Sequence, residues 1–213
     1  MLQNLTQSQT GLFVPCSQQV ELIRRLNKLR GWGFSETDFS MLDYNPSCPY
    51  GQFCTPVLDV RLNTIKETFD EAWLCISSLY DSWRWPAIKT DVNHLRLMPK
   101  KNHLRGLRWK VLNLAGNWDK MRGLRPKDIR YPKLSPSSEI LWAVVYFREW
   151  LTSMDGINVP YVWLPGYECR LEYEANWSRT PVLIWSHDRR EVQLVTLGMD
   201  FYQNGWAAPI ILS

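Results

Sequence analysis

Long apolar runs are missing from this sequence of 213 residues. No stretch approaches the roughly 18 uncharged apolar residues that a membrane-spanning helix needs. The longest apolar run in a helical setting, Ile140 to Phe147, covers only about two turns. The first nine residues have neither the positive region nor the apolar region of a secretory signal. We therefore expect a soluble protein with no membrane segment and no secretory leader.

Cysteine is also sparse, with five residues at positions 16, 48, 54, 75 and 169. An odd and scattered set is not typical of a disulfide framework, and it favours a reducing, cytoplasmic location. Cys48 and Cys54 are separated by five residues, which is wider than the roughly two to four of a zinc knuckle. The sequence therefore predicts no metal site and no cofactor.

Catalytic motifs are absent as well. The sequence contains neither G-x-x-x-x-G-K-[ST] nor G-x-S-x-G. Gly31 and Gly33 form a G-x-G that follows a helical pattern and has no third glycine, so they are interpreted as a helix stop. A Cys–His pair assembled by the fold stays open as a hypothesis, because such partners meet in space rather than in sequence. The sequence thus favours a binding protein over an enzyme.

Tryptophan, by contrast, is abundant: there are 12 Trp against 11 Gly. Most of these indole rings should be buried, since exposed ones would leave large apolar patches in water. The most distinctive aromatic run is Tyr161 to Glu168, around the turn Pro165-Gly166. Two interpretations stay open for it, the wall of a ligand pocket and a packed corner between two strands.

The hydrophobic pattern predicts an α+β fold. Helices are expected at about 17–30, 65–83 and 136–152, because apolar residues there recur every three or four positions. Strands are expected at 107–111 and through most of 159–212. We therefore expect a helical N-terminal half and a mainly antiparallel β C-terminal half packed with one long helix. Residues 1–15 are interpreted as a flexible arm and 16–213 as one globular domain, with a possible seam at 43–56.

Positive charge is concentrated in one segment. Residues 96–133 contain twelve Lys and Arg but only two acids, a net charge of +10, whereas the rest of the chain has 13 basic and 19 acidic residues. Lys and Arg bind phosphates by displacing counterions, and aromatic rings offer stacking planes. The leading hypothesis is a non-enzymatic protein that binds an anionic partner, above all nucleic acid. Its contact residues would be Arg105, Arg108, Lys110, Trp118, Arg122, Arg125, Lys127 and Arg130.

Two other interpretations of this basic segment remain. Its charges can pair with the protein's own acids, for example Glu168, Glu172 and Glu174, as solvated charge runs usually do. The segment can also belong to a protein–protein interaction module, an adaptor or an inhibitor. The remaining hypothesis is a small-molecule enzyme with a Cys or His in a Trp-lined pocket.

Overall fold

The computed structural model of the chain describes residues 6–8, 11–44, 46–47, 54–114, 121–129, 131 and 133–208. The helices within these ranges are α1 (Cys16–Arg30), α2 (Glu36–Ser40), α3 (Ile65–Leu79), α4 (Ser138–Tyr146) and α5 (Arg148–Thr152). The strands are β1 (Thr6–Ser8), β2 (Gly11–Phe13), β3 (Thr55–Arg61), β4 (Ser82–Arg84), β5 (Leu95–Leu97), β6 (Gly106–Leu112), β7 (Tyr161–Trp163), β8 (Tyr167–Cys169), β9 (Arg179–Ser186), β10 (Glu191–Gly198) and β11 (Trp206–Ala207).

The described strands form three sheets. β1 pairs with β2, and β3 pairs antiparallel with β6 as a two-stranded ribbon. The third sheet has the order β11-β7-β9-β10-β4, and β8 joins it by pairing with both β9 and β5. Within this sheet β4 runs parallel to β10 and β11 runs parallel to β7, while the other pairs are antiparallel.

The helices cover the ribbon. All nine residues of α4 are buried, and this helix packs against β3 and α3. α3 begins with a capping box formed by Thr64 and Glu67, and it buries the stripe of Phe69, Ala72 and Ile76. α1 ends at Gly31, which adopts the left-handed conformation that favours glycine.

Side chains from the helices satisfy the outer backbone edge of β3. Gln19 of α1 is fully buried and donates to the Pro56 carbonyl, and it accepts from the Leu58 N–H at 2.9 Å. From α4, Trp142 donates to the Val60 carbonyl and Tyr146 to the Leu58 carbonyl. Among the residues that the structure describes, side chains and not a third strand therefore close the ribbon edge.

The α+β class is confirmed, because the chain contains both helices and strands. The expected segregation holds only in part, since β3, β4 and β5 all lie in the N-terminal half. The helix expected at 136–152 is broken at Phe147, between α4 and α5. A straight continuation of the fully buried α4 would place Arg148 and Glu149 inside the protein, whereas the break leaves both exposed.

Two further expectations concern organisation and the membrane. One connected hydrophobic core draws residues from both sides of segment 43–56, including Ile23, Phe69 and Leu183. β1 and β2 lie within the expected arm, and the division into an arm and a domain stays a prediction. In the part of the chain that the structure describes, no helix is long and apolar enough to cross a membrane.

Candidate functional site

Strand β6 places two of the expected contact residues beside a buried group of charges. Across the ribbon, Arg108 faces Asp59 and Lys110 faces Val57. Directly opposed residues of an antiparallel pair share one face, so Arg108 and Lys110 lie on the face that carries Asp59 and Arg61. Both cations are half-buried, and neither forms an ion pair with any residue that the structure describes.

Four buried charged residues form an ion quartet behind these two cations: Asp59, Arg61, Lys101 and Glu139. Arg61 Nε lies 2.7 Å from Asp59 Oδ2, and Arg61 Nη2 lies 3.6 Å from Glu139 Oε2. Lys101 Nζ lies 3.8 Å from Glu139 Oε1, an oxygen that has no hydrogen-bond donor. The quartet joins β3, the loop after β5 and the first turn of α4.

Serine hydroxyls donate hydrogen bonds to both carboxylates of the ion quartet. Ser138 donates to Asp59 Oδ1 at 2.7 Å, and Ser137 donates to Glu139 Oε2 at 3.0 Å. Burial by itself disfavours the Glu139 carboxylate, but Lys101 and Arg61 outweigh it and hold the pKa of Glu139 below its ordinary value. The carboxylate is therefore charged at neutral pH although it lies entirely inside the protein.

Lys101 reaches the quartet through a tight passage beside the turn Pro165-Gly166. Its ammonium donates to the Ser135 carbonyl. A Cβ added at Gly166 would lie 3.0 Å from Lys101 Nζ and 2.6 Å from the Pro136 carbonyl oxygen. Gly166 therefore leaves the space in which the ammonium and the start of α4 come together.

The basic groups around the quartet repel one another. Burial and then Arg61 lower the pKa of Arg108. Burial lowers the pKa of Lys101, Glu139 opposes this, and Arg61 and Lys110 lower it further. The pKa of His103 falls through burial and the charges of Arg61 and Arg108, although its bond to the Leu62 carbonyl opposes this. These shifts come first from burial and then from the neighbouring cations, and the carboxylate of Asp59 opposes them. For Arg61, burial is outweighed by Asp59 and Glu139, which raise its pKa.

We call this arrangement the basic centre and define it as Arg61, Lys101, His103, Arg108 and Lys110. With His103 neutral, the centre has four positive charges, and Asp59 and Glu139 supply two negative ones, so a net charge of about +2 remains. A net positive, half-buried centre can bind an anion by electrostatic attraction and charge-assisted hydrogen bonds.

Arg105 belongs to another surface of the ribbon. Its guanidinium lies 4.4 Å from the centre of the Phe34 ring and donates to the Trp32 carbonyl at 2.8 Å. Trp109, four residues after Arg105, is buried, and its indole N–H donates to the Leu42 carbonyl. Arg105 is thus held by the loop between α1 and α2, away from the ion quartet.

The downstream cations of the expected site lie against loops and acids elsewhere. Arg122 donates to the carbonyls of Gly156, Asn158 and Asn204. Arg125 pairs with Asp128 at 2.8 Å, and Lys127 pairs with Asp200. Trp118 and Arg130 lie outside the described residues.

The acids named as possible internal partners are indeed paired. Glu168 is buried and lies 2.6 Å from Arg96 Nε, a cation of the basic segment. Glu172 pairs with Lys89 and Glu174 pairs with Arg179, which lie outside that segment. Internal pairing therefore accounts for part of the positive segment, and among the described residues it leaves Arg108 and Lys110 without an ion pair, although Asp59 lies opposite Arg108.

The cysteines give little support to nucleophilic catalysis. Burial raises the pKa of Cys75 to about 11, and it also raises the pKa of Cys16 and of Cys169. These three cysteines are free thiols, whereas Cys54 takes part in a disulfide. The disulfide differs from the expectation of cysteines that are all reduced. Among the described residues, no group of three or more His, Cys, Asp or Glu is arranged to hold a metal ion.

The aromatic run Tyr161 to Glu168 forms a packed corner. Trp163, Leu164 and Tyr167 are almost completely buried. Trp163 lies 5.2 Å from Trp206 between ring centres, within a small second core. Tyr161 also borders a hollow beside Gly156 and Gly205, but the other rings of the run fill the interior.

Three members of the basic centre escaped the sequence analysis. Arg61 lies at the end of β3, a strand that was not predicted because a Pro-rich segment precedes it. Lys101 was counted among the basic residues of the segment, and His103 lies within the segment without being counted; neither was predicted as a contact residue. One usable signal is the alternation Asp59-x-Arg61, which places opposite charges on one face of a strand. Comparison with protein-family models, with curated proteins and with solved structures found no match.

Proposed function

We propose that this chain is a non-enzymatic binding protein that takes an anionic partner, nucleic acid, at the basic centre. The observation that carries the proposal is the state of Arg108 and Lys110. Both are half-buried beside Arg61 and Lys101, and neither has an acid partner among the described residues. A phosphate group placed there relieves the repulsion among the cations, which is a direct source of binding energy.

The proposal retains only part of the contact set expected from sequence. Arg108 and Lys110 stay at its centre, and Arg105 and the exposed Lys100 are nearby in sequence and can add long-range attraction. Arg125 and Lys127 are assigned a structural role, because each already has an acid partner.

A salt titration with a random oligonucleotide tests the proposal. If two cations contact the phosphates of this single strand, the slope of log K against log salt should be about −1.4, since each contact contributes about −0.7. R108Q/K110Q should reduce the affinity at about 50 mM salt by at least tenfold and flatten the slope.

The matched control is R125Q/K127Q, which removes the same number and kind of charges from paired positions. We expect its affinity to stay within about threefold of the unmodified protein, because only the long-range field changes. Absence of any binding at about 50 mM salt, or equal losses in both double variants, contradicts the proposal.

A second candidate is a protein–protein interaction module that binds an acidic segment at the same cations. It is favoured by Leu104, which is 62% exposed and lies next to Arg105 and four residues from Arg108. An apolar side chain among cations suits a partner that presents both carboxylates and apolar groups. Co-purification of a discrete protein that survives nuclease treatment and is lost in R108Q/K110Q would support this candidate.

We also propose that the protein works in the cytoplasm. The free thiols of Cys16, Cys75 and Cys169 agree with a reducing compartment, and the disulfide at Cys54 does not. Fractionation of cells followed by thiol counting on the recovered protein tests the location and the redox state of Cys54 together.

A further inference from the structure

The basic centre is compact, and this limits the kind of anion it can take. Arg61 and Lys101 are buried, with side-chain exposures of 6% and 7%, and only Arg108 and Lys110 reach the surface in part. A long nucleic-acid backbone needs a track of cations along a surface. Within the described residues the downstream cations do not continue such a track, because Arg125 and Lys127 pair with acids and Arg122 binds loop carbonyls.

The charge of the centre also selects among phosphates. Its net charge of about +2 is similar in size and opposite in sign to the charge of a phosphate monoester at neutral pH, about −1.5 to −2. An internal phosphodiester carries only about −1 and has two oxygens free to accept hydrogen bonds, whereas a monoester has three.

Arg108 and Lys110 provide the hydrogen-bond donors that a phosphate monoester needs. The guanidinium of Arg108 donates to the Leu104 carbonyl through one nitrogen and keeps its other N–H groups for a ligand. The Lys110 ammonium has three donors, and it lies close enough to Lys101 to lower the pKa of that group, after burial and the charge of Arg61. Two cations with open donors suit the three oxygens of a terminal phosphate.

We propose that the basic centre binds the terminal phosphate monoester of a nucleic-acid end, held by Arg108 and Lys110 in front of the neutral ion quartet. This inference rests on the proposed function, since it specifies which phosphate of a nucleic acid the centre takes. The internal phosphates of the chain add a further, salt-sensitive attraction that a single nucleotide does not have.

The test compares two forms of one oligonucleotide, labelled at the 3′ end, that differ only in a 5′-phosphate or a 5′-hydroxyl. Fluorescence anisotropy at about 150 mM salt, where long-range attraction is screened, should give about tenfold tighter binding for the phosphorylated form. R108Q/K110Q should abolish this preference and R125Q/K127Q should keep it. The comparison of the two oligonucleotides on the unmodified protein is informative even if a variant does not fold.

The outcomes separate this inference from the proposed function. Binding of neither oligonucleotide, at any salt concentration, contradicts the proposed function itself. Equal binding of both forms leaves nucleic-acid binding in place and overturns the inference. A preference that survives in R108Q/K110Q overturns it as well, because the phosphate then lies elsewhere.

Competition distinguishes a nucleic-acid end from a free phosphate compound. A 5′-mononucleotide should displace the phosphorylated oligonucleotide weakly and the corresponding nucleoside should not displace it at all. If the mononucleotide or inorganic phosphate binds as tightly as the oligonucleotide, the ligand is a small phosphate compound and the assignment to a nucleic-acid end is wrong.

Discussion

Glu139 shows how a single residue can tie the fold to the site. It is completely buried in the first turn of α4, and its charge is balanced by Lys101 and Arg61. Removing one member of a buried ion pair leaves the other charge without compensation, which is more costly than the pair is stabilising. Glu139 therefore holds both cations in place behind Arg108.

Glu139→Gln should destabilise the protein by about 3–5 kcal/mol at pH 7. The folded pKa of Glu139 lies below its ordinary value of 4.5, so the carboxylate contributes stability that is fully present above about pH 4.5. This contribution is lost as the pH falls through the lowered pKa, and the difference between the variant and the unmodified protein should shrink there.

Urea unfolding at several pH values measures this difference. Glu149→Gln is the control, because Glu149 is exposed and its replacement should change the free energy of unfolding by less than about 0.5 kcal/mol. A difference for Glu139→Gln that is the same at pH 7 and pH 3 would contradict the buried, charged state of this residue.

Gly166→Ala is a second test at single-residue scale. The added Cβ would lie 2.6 Å from the Pro136 carbonyl oxygen and 2.9 Å from Ser137 Cβ, so backbone must move. We expect a loss of about 1–3 kcal/mol in thermal or urea unfolding. Gly198→Ala is the matched control, since no atom lies within 4 Å of its added Cβ and the change should be nearly neutral. Equal effects at the two glycines would argue against the close packing of this corner.

Strand β3 is the element on which the site depends most, and sequence patterning did not predict it. Its residues are almost all buried, yet the run contains Pro56, Asp59 and Arg61, which are unusual in an interior strand. The charges are tolerated because Asp59 and Arg61 pair with each other and with α4. The partners in α4 are far away along the chain: Ser138 and Asp59 are separated by 79 residues.

Other elements were predictable because local patterning decides them. The apolar spacing and capping residues of α1 and α3 predict helices close to Cys16–Arg30 and Ile65–Leu79. The hairpin of β9 and β10 follows from two apolar runs around a turn. Short strands such as β4 and β5 have three residues each and form only because neighbours pair with them.

Gln19 provides a prediction at the scale of elements, because it attaches α1 to the edge of β3. Its amide bonds the carbonyls of Val14 and Pro56 and the N–H of Leu58, all at about 3 Å. Gln19→Ala leaves these buried groups without partners and should cost about 2–4 kcal/mol in urea unfolding. Gln18→Ala, at an exposed position of the same helix, should be nearly neutral. If both alanine variants are equally stable, the docking of α1 on β3 is wrong.

At the scale of the whole molecule, the cations of the positive segment that the structure describes do not form one positive surface. Arg108 and Lys110 meet three other basic residues at the ribbon, whereas Arg125 and Lys127 are paired with acids elsewhere. The amount of positive charge could be read from the sequence, but its location could not. Arg125 pairs with Asp128, three residues away, whereas Lys127 pairs with Asp200, which is far away along the chain. Only the fold decides which cations keep free donors.

The three free thiols of the folded protein should react only slowly with thiol reagents. Burial raises the pKa of Cys75 to about 11 and raises those of Cys16 and Cys169, so little thiolate is present at pH 7. Alkylation followed by peptide mass analysis should show all three reacting much more slowly in the native protein than in denaturant. One thiol that reacts within seconds would revive the hypothesis of a cysteine enzyme.

The position of the bound anion is the central claim, and lysine footprinting tests it most directly. Acylation of lysines is measured with and without a 5′-phosphorylated oligonucleotide, and modified peptides are compared by mass spectrometry. We predict strong protection of Lys110 and no protection of Lys127, which pairs with Asp200. Protection of Lys127 with Lys110 unchanged would contradict the assignment of the anion to the basic centre.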